Sequence, residues 1–363
     1  MAATATAGER EGKRERSQGT ALPQAVLALL VIGVFLSAGV SLTAGASNAS
    51  ALAVAAHWLG LAAHDAIAPR DLLIVEQIRL PRVVMGLLVG AALAVSGAVM
   101  QGIFRNPLAD PGLAGVSAGA GLGAAVMIVL GGALALPVAG AFAYAALPGA
   151  AFLGGLLTTT VLYGLSTRLG RTSIATMLLA GIALGALSNS ATGLLVYMAD
   201  DKQLRDLTFW SMGSLGGATW PRIAMLTLVV GASFSVLPFM ARGLNALALG
   251  EAAAWHMGIS VERLKRSAIV IVAAMTGVSV AVSGGIGFVG IVVPHILRLA
   301  VGPNHRVLLP ASALLGGALL VLADAVARTV AAPAELPIGI ITALAGAPFF
   351  LWLLLRRRNL LDL

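Results

Sequence analysis

The 363-residue chain contains no cysteine, only three lysines (Lys13, Lys202, Lys265) and three tyrosines, and just 10% of it is Asp, Glu, Lys or Arg. Without cysteine there are no disulfides and no thiolate metal sites, and the redox compartment stays unread. The shortage of lysine goes with the absence of any G-x-x-x-x-G-K-[ST] loop, so the chain cannot hold nucleotide phosphates in a P-loop of its own. No Ser/His/Asp arrangement and no set of metal ligands at useful spacing is present, so neither catalysis nor a resident cofactor or metal is expected. Soluble domains carry roughly 25% charged residues; this chain has 10%, with 59% apolar residues, a membrane composition. The net charge of +8 does not point to nucleic acid, because the basic residues are scattered between apolar runs, where they set orientation in the bilayer.

Uncharged runs occupy 83–104, 111–167, 172–199, 223–241, 267–297, 307–323 and 336–355, and another follows Arg16. A span needs about 20 apolar residues. The 111–167 run is too long for one span and divides between Pro137 and Pro148; the 267–297 run divides near Ser283–Gly287. The pattern predicts an all-α polytopic membrane protein of about ten transmembrane helices, at about 22–43, 82–103, 113–131, 144–167, 173–198, 221–240, 261–283, 287–301, 307–328 and 337–355. An even count puts both termini on one side. Sixteen of the 23 Lys and Arg residues then share that side, including Arg10–Arg16, Arg105, Arg168, Arg242, Lys265, Arg306 and Arg356–Arg358. Arg70, Arg79, Arg82, Lys202, Arg205, Arg222 and Arg328 lie opposite. Positive residues favour the cytoplasm, so both termini are expected there. Residues 1–20 read as a disordered cytoplasmic tail, 21–358 as the transmembrane domain and 359–363 as a second cytoplasmic tail. A basic stretch before an apolar run, with AGA at Ala44–Ala46, also fits a cleaved signal peptide. The length of the first run and the even count favour an uncleaved helix.

Small residues recur every fourth position at Gly86/Gly90, Gly115/Gly119/Gly123 and Gly181/Gly185, a spacing that lets membrane helices approach closely. Gly285, Gly287 and Gly290 fit G-x-G-x-x-G, but no βαβ unit surrounds them, so they read as helix packing.

Three stretches carry a resemblance. One is RLPR at Arg79–Arg82, followed by Q-x-x-x-RNPLA-x-P at Gln101–Pro111 and G-x-x-x-GA at Gly115–Ala120. Another is LNALALGEAAAWHMGI at Leu244–Ile259. The third is GGIGFVGIVVPHILRLAVG, then HRVLLP, AD-x-x-AR and ELPIGIITALAGAPFF. Together these resemble the FecCD-type permeases of bacterial ABC importers, which carry iron-siderophores, haem or vitamin B12. The resemblance implies a type II ABC importer permease fold in the bacterial inner membrane. It also implies a homodimer, two copies of an ABC ATPase subunit that uses the ATP, and a periplasmic substrate-binding protein. It makes about 243–259 a pair of coupling helices and assigns Leu244, Asn245, Leu249, Gly250 and Glu251 to ATPase docking; an interfacial amphipathic loop is the alternative. Trp255–His256–Met257 departs from the family's small-basic-leucine pattern, which puts the contacts at that end in doubt. The resemblance further implies that Arg79, Arg82 and Arg328 dock the binding protein as exposed external cations; the alternative is that they snorkel at helix ends. Asp324, four residues before Arg328, reads as its structural ion-pair partner. Asn106 and Leu108 match positions at the cytoplasmic gate, though Asn106–Pro107 reads equally well as a turn former. Thr172, Ser173 and Thr176 are expected at the same gate, with no motif to fix their register.

The segment Leu207–Trp220 most resembles the haem branch, so haem is the expected transported substrate, with ferric siderophore or cobalamin as alternatives. His57 and His64, seven residues apart on the external side, could share a helix face toward haem iron, but a solvated loop face is the better reading. An ion-coupled secondary transporter would need ionisable groups in the membrane, and Asp324 alone qualifies.

Overall fold

The computed structural model describes residues 2–45, 47, 49–61, 67–132, 141–168 and 171–358, with the side chains of 2–21, 113–114, 141–144, 171, 354 and 356–358 set aside. His64, the tail 359–363 and the side chains of the expected tail over 1–20 therefore lie outside the described residues.

Fourteen helices are found among them: α1 Ala2–Thr43, α2 Ala51–Trp58, α3 Pro69–Leu73, α4 Leu80–Phe104, α5 Val116–Leu130, α6 Ala141–Ser166, α7 Ile174–Met198, α8 Asp201–Ser211, α9 Trp220–Ala248, α10 Glu251–His256, α11 Val261–Ser283, α12 Val289–Val301, α13 His305–Val330 and α14 Ile338–Arg358. A π-helical stretch, Ile74–Arg79, joins α3 to α4. Between α6 and α7 lies a two-stranded hairpin, β1 Thr167–Arg168 and β2 Arg171–Thr172. Seven helices are long and apolar enough to cross a membrane, and α5, α12 and α14 are shorter apolar helices. These ten apolar helices fall where spans were expected, seven of them long enough to cross. The short helices α2, α3 and α8 were not foreseen; α8 is held at its start by a reciprocal cap between Asp200 and Gln203.

α4 is the axis. It packs against α13, α11, α12 and α9, and 78% of its apolar window is buried, as is that of α11, against 17% for α7 and 11% for α1. The outer helices instead expose Phe35, Leu187 and Phe239, as lipid-facing surfaces do. Close approach on α4 depends on missing side chains: a Cβ on Gly97 would collide with the Gly290 carbonyl of α12. Gln101 seals the same contact by donating from Nε2 to the Gly290 oxygen at 3.1 Å.

Two expectations need correction. α9 does not stop near residue 240 but continues to Ala248. The first of the two expected coupling helices is thus the C-terminal end of a span, because the single Gly243 costs a helix only about 1 kcal/mol. The chain breaks at Gly250, whose φ of +112° suits a residue without a Cβ. The turn after α4 is also no simple surface turn. Arg105 ends α4 in the left-handed region (φ 50°), and the chain then folds back so that Asp110 and Pro111 lie against Gly290, beside Leu93. Leu93 is about 16 Å up the helix from Phe104 at 1.5 Å per residue. α5 therefore starts within the membrane, which explains its shortness. Such irregular backbone survives at that depth because protein surrounds it.

Candidate functional site: a buried arginine cluster and a lysine node at the opposite end

At the end of the bundle that holds the start of α4, Arg79, Arg82 and Arg328 converge, but they are 3%, 6% and 6% exposed. Arg82 Nε meets both Asp324 oxygens at 2.9 and 3.0 Å, and its Nη1 meets both Glu335 oxygens at 2.9 Å. Arg328 Nε lies 3.0 Å from Asp324 Oδ2, and its Nη atoms donate to the Ala44 carbonyl, the Ser41 carbonyl and Ser41 Oγ. Arg79 donates to the carbonyls of Leu42 and Ser47 at 2.7 and 2.6 Å. The expected Asp324–Arg328 ion pair is present, with Arg82 completing it. The exposure that direct docking requires is not: burying a guanidinium demands that its donors be satisfied inside the chain, and here they tie the end of α1 to α4 and α13. Of this cluster only Glu335, with 48% of its side chain exposed, faces outward.

At the opposite end of the bundle the expected residues separate into two groups. Leu244 is fully buried and Asn245 half-buried, whereas Leu249 is 72% exposed. Leu244 thus packs inside the protein, against the Gly102 region of α4. Asn245 binds the start of α13: its Oδ1 accepts from the His305 backbone at 2.8 Å and its Nδ2 donates to Asn304 Oδ1 at 2.8 Å. Leu249, Trp255 and Met257 are exposed apolar side chains of this segment, of a kind suited to a partner protein.

Glu251 points the other way, into a node centred on Lys265. The Lys265 ammonium, 3% exposed, lies 2.9 Å from Glu251 and 3.4 Å from Glu262, and donates to the Thr172 carbonyl at 3.2 Å. Glu262 accepts from the Thr172 backbone N–H at 2.8 Å. The node joins α10 to the β-hairpin that leads into α7, whose first turn is capped by Ser173 accepting from the Thr176 N–H. Glu251 and Thr172, assigned on separate grounds, therefore share one cation. Phe104, Arg105, Thr172, Ser173, Glu251 and Lys265 line a cavity of about 500 Å³, which brings the end of α4 to the same place. Asn106 is exposed and accepts from the Leu108 N–H at 3.0 Å, the turn-forming geometry; Leu108 is half-buried beside it. Lys265 and Glu262 escaped the sequence reading, although a lysine in a chain with so few, three residues after a glutamate, was a signal.

The FecCD transport family matches residues 22–356. The hemin transport system permease protein HmuU of Yersinia pestis is 45% identical over 331 residues, covering 91% of this chain and 96% of that one. The cobalamin import system permease protein BtuC of Halobacterium salinarum is 47% identical over 281 residues, 77% of this chain and 73% of that one. Among solved structures, an inward-facing conformation of a metal-chelate type ABC transporter superposes with a TM-score of 0.80 at 33% identity, covering 92% of this chain and 99% of the other.

Proposed function

We propose that this chain, which belongs to the FecCD transport family, carries haem from periplasm to cytoplasm as one of two permease copies in an ABC importer. A separate ATPase pair supplies the energy, both termini face the cytoplasm, and a periplasmic binding protein delivers the cargo. The likeness to HmuU over nearly the whole of both chains favours haem; the likeness to BtuC makes cobalamin the second reading.

The Lys265 node carries the mechanism. In this reading the ATPase grips the apolar face of Leu249, Trp255 and Met257 and moves α10. Glu251 passes that motion through Lys265 to Thr172 and the hairpin, and so to the start of α7 at the gate, with Asn106 and Leu108 on the facing turn. Asn245 transmits the same motion to α13, while Gly250 supplies the bend that lets α10 move apart from α9. Arg79, Arg82 and Arg328 shape the docking surface from beneath, and Glu335 is the charged group of that cluster the binding protein meets. A bacterial strain deleted for its own haem importer, supplied with this chain, its ATPase and its binding protein, should grow on haem as its iron source. Growth restored on cobalamin-dependent medium but not on haem would transfer the assignment to cobalamin.

A further inference from the structure

We propose that the cleft between α9 and α13 binds one anionic phospholipid of the cytoplasmic leaflet, its phosphate held by Arg242 and Arg306 and an acyl chain lying in the cleft. The cleft is a cavity of about 460 Å³ whose walls include Phe234, Leu237, Pro238, Leu309, Pro310 and Ala313. Both prolines lack the N–H that would continue the helical ladder, so each helix is short of one backbone hydrogen bond where the walls meet. Arg306 also borders a second cavity of about 270 Å³, lined by Arg242, Asn245, Asn304 and the exposed Leu249 and Met257. An apolar slot thus opens directly onto two arginines. Both side chains are exposed, and neither has an acidic partner among the described residues.

Depth identifies the occupant. Arg222 and Arg242 stand twenty residues apart on α9, about 30 Å along a helix, the thickness of the hydrocarbon core. Arg242 therefore lies at the inner boundary, and Arg306, in the first turn of α13, lies with it. Phe234 is eight residues back from Arg242, about 12 Å into the hydrocarbon. A soluble partner cannot reach that depth, whereas a lipid presents a phosphate at the boundary and a chain below it. Basic pockets between spans on the cytoplasmic side suit such headgroups.

The test uses the full chain in nanodiscs of mixed phosphatidylglycerol and phosphatidylcholine, with spin-labelled versions of each lipid as probes and native mass spectrometry to count retained lipid. Wild-type protein should prefer phosphatidylglycerol by about fivefold per arginine, and R242Q/R306Q should lower the preference to near unity. Ala313→Trp, which fills the slot, should reduce the retained lipid with the arginines intact. Equal retention of both lipids by wild type, or an unchanged preference in R242Q/R306Q, would overturn the proposal. So would an R242Q/R306Q variant that keeps its lipid but no longer assembles with the ATPase, which would make the two arginines a protein-docking patch.

Discussion

Replacing Lys265 with methionine removes the charge of the cytoplasmic node while keeping an unbranched side chain of similar length. Lys265 is 3% exposed, while Glu251 and Glu262 keep 44% and 34% of their side chains exposed. Breaking a fully buried pair costs about 3–5 kcal/mol and breaking an exposed one about 0–1 kcal/mol. The half-exposed partners, freed into water, put this change between them, at about 2 kcal/mol. If the node relays ATPase motion to the hairpin, that energy is lost from the coupled step, and about 2 kcal/mol is roughly a 30-fold drop in rate. The assay measures haem uptake and ATP hydrolysis together in proteoliposomes holding permease, ATPase and binding protein. K265M should assemble and hydrolyse ATP yet move far less haem per ATP, and K265R, which keeps the charge in a different geometry, should recover part of the loss. K265M transporting haem at the wild-type ratio would refute the relay.

In the arginine cluster, Arg82→Met leaves Asp324 with one guanidinium instead of two and should cost about 2 kcal/mol of stability, between an exposed pair and an uncompensated buried charge, read as a lower melting temperature in detergent before any binding-protein assay. Gly97→Ala forces a Cβ into the Gly290 carbonyl and should abolish folded expression, whereas Gly185→Ala, with open space around it, should be silent; both are read by fluorescence size-exclusion profiles. Leu249→Asp should abolish co-purification of the ATPase from a permease of unchanged melting temperature, while Leu244→Asp should destabilise the permease itself.

The spans were legible because an uncharged run of bilayer length has few other solutions, and the division of 267–297 at Ser283–Gly287 was marked by its glycines. Depth was not legible. RLPR and AD-x-x-AR mark the arginines, but nothing local says that Arg82 meets Asp324 and Glu335 from the far end of the chain, so the motifs alone read as exposed cations. The re-entry of Asp110 was hidden for the same reason, since a polar, proline-broken stretch looks like a surface turn wherever it ends up. The coupling segment was found by its wording and its break at Gly250 by the glycine, yet an apolar LNALA gives no sign that the preceding span continues through it. Glu251 and Thr172 were each singled out, but the lysine that joins them belongs to a third segment.

The central claim is that this permease couples ATP hydrolysis on one face to haem entry from the other. Its most direct test is accumulation of labelled haem in proteoliposomes containing the permease, its ATPase and its binding protein, with cobalamin and a ferric siderophore in parallel. ATP should drive haem inward against a gradient, with the other two left behind. Haem that equilibrates without ATP, or ATP-driven uptake of cobalamin in its place, would contradict it.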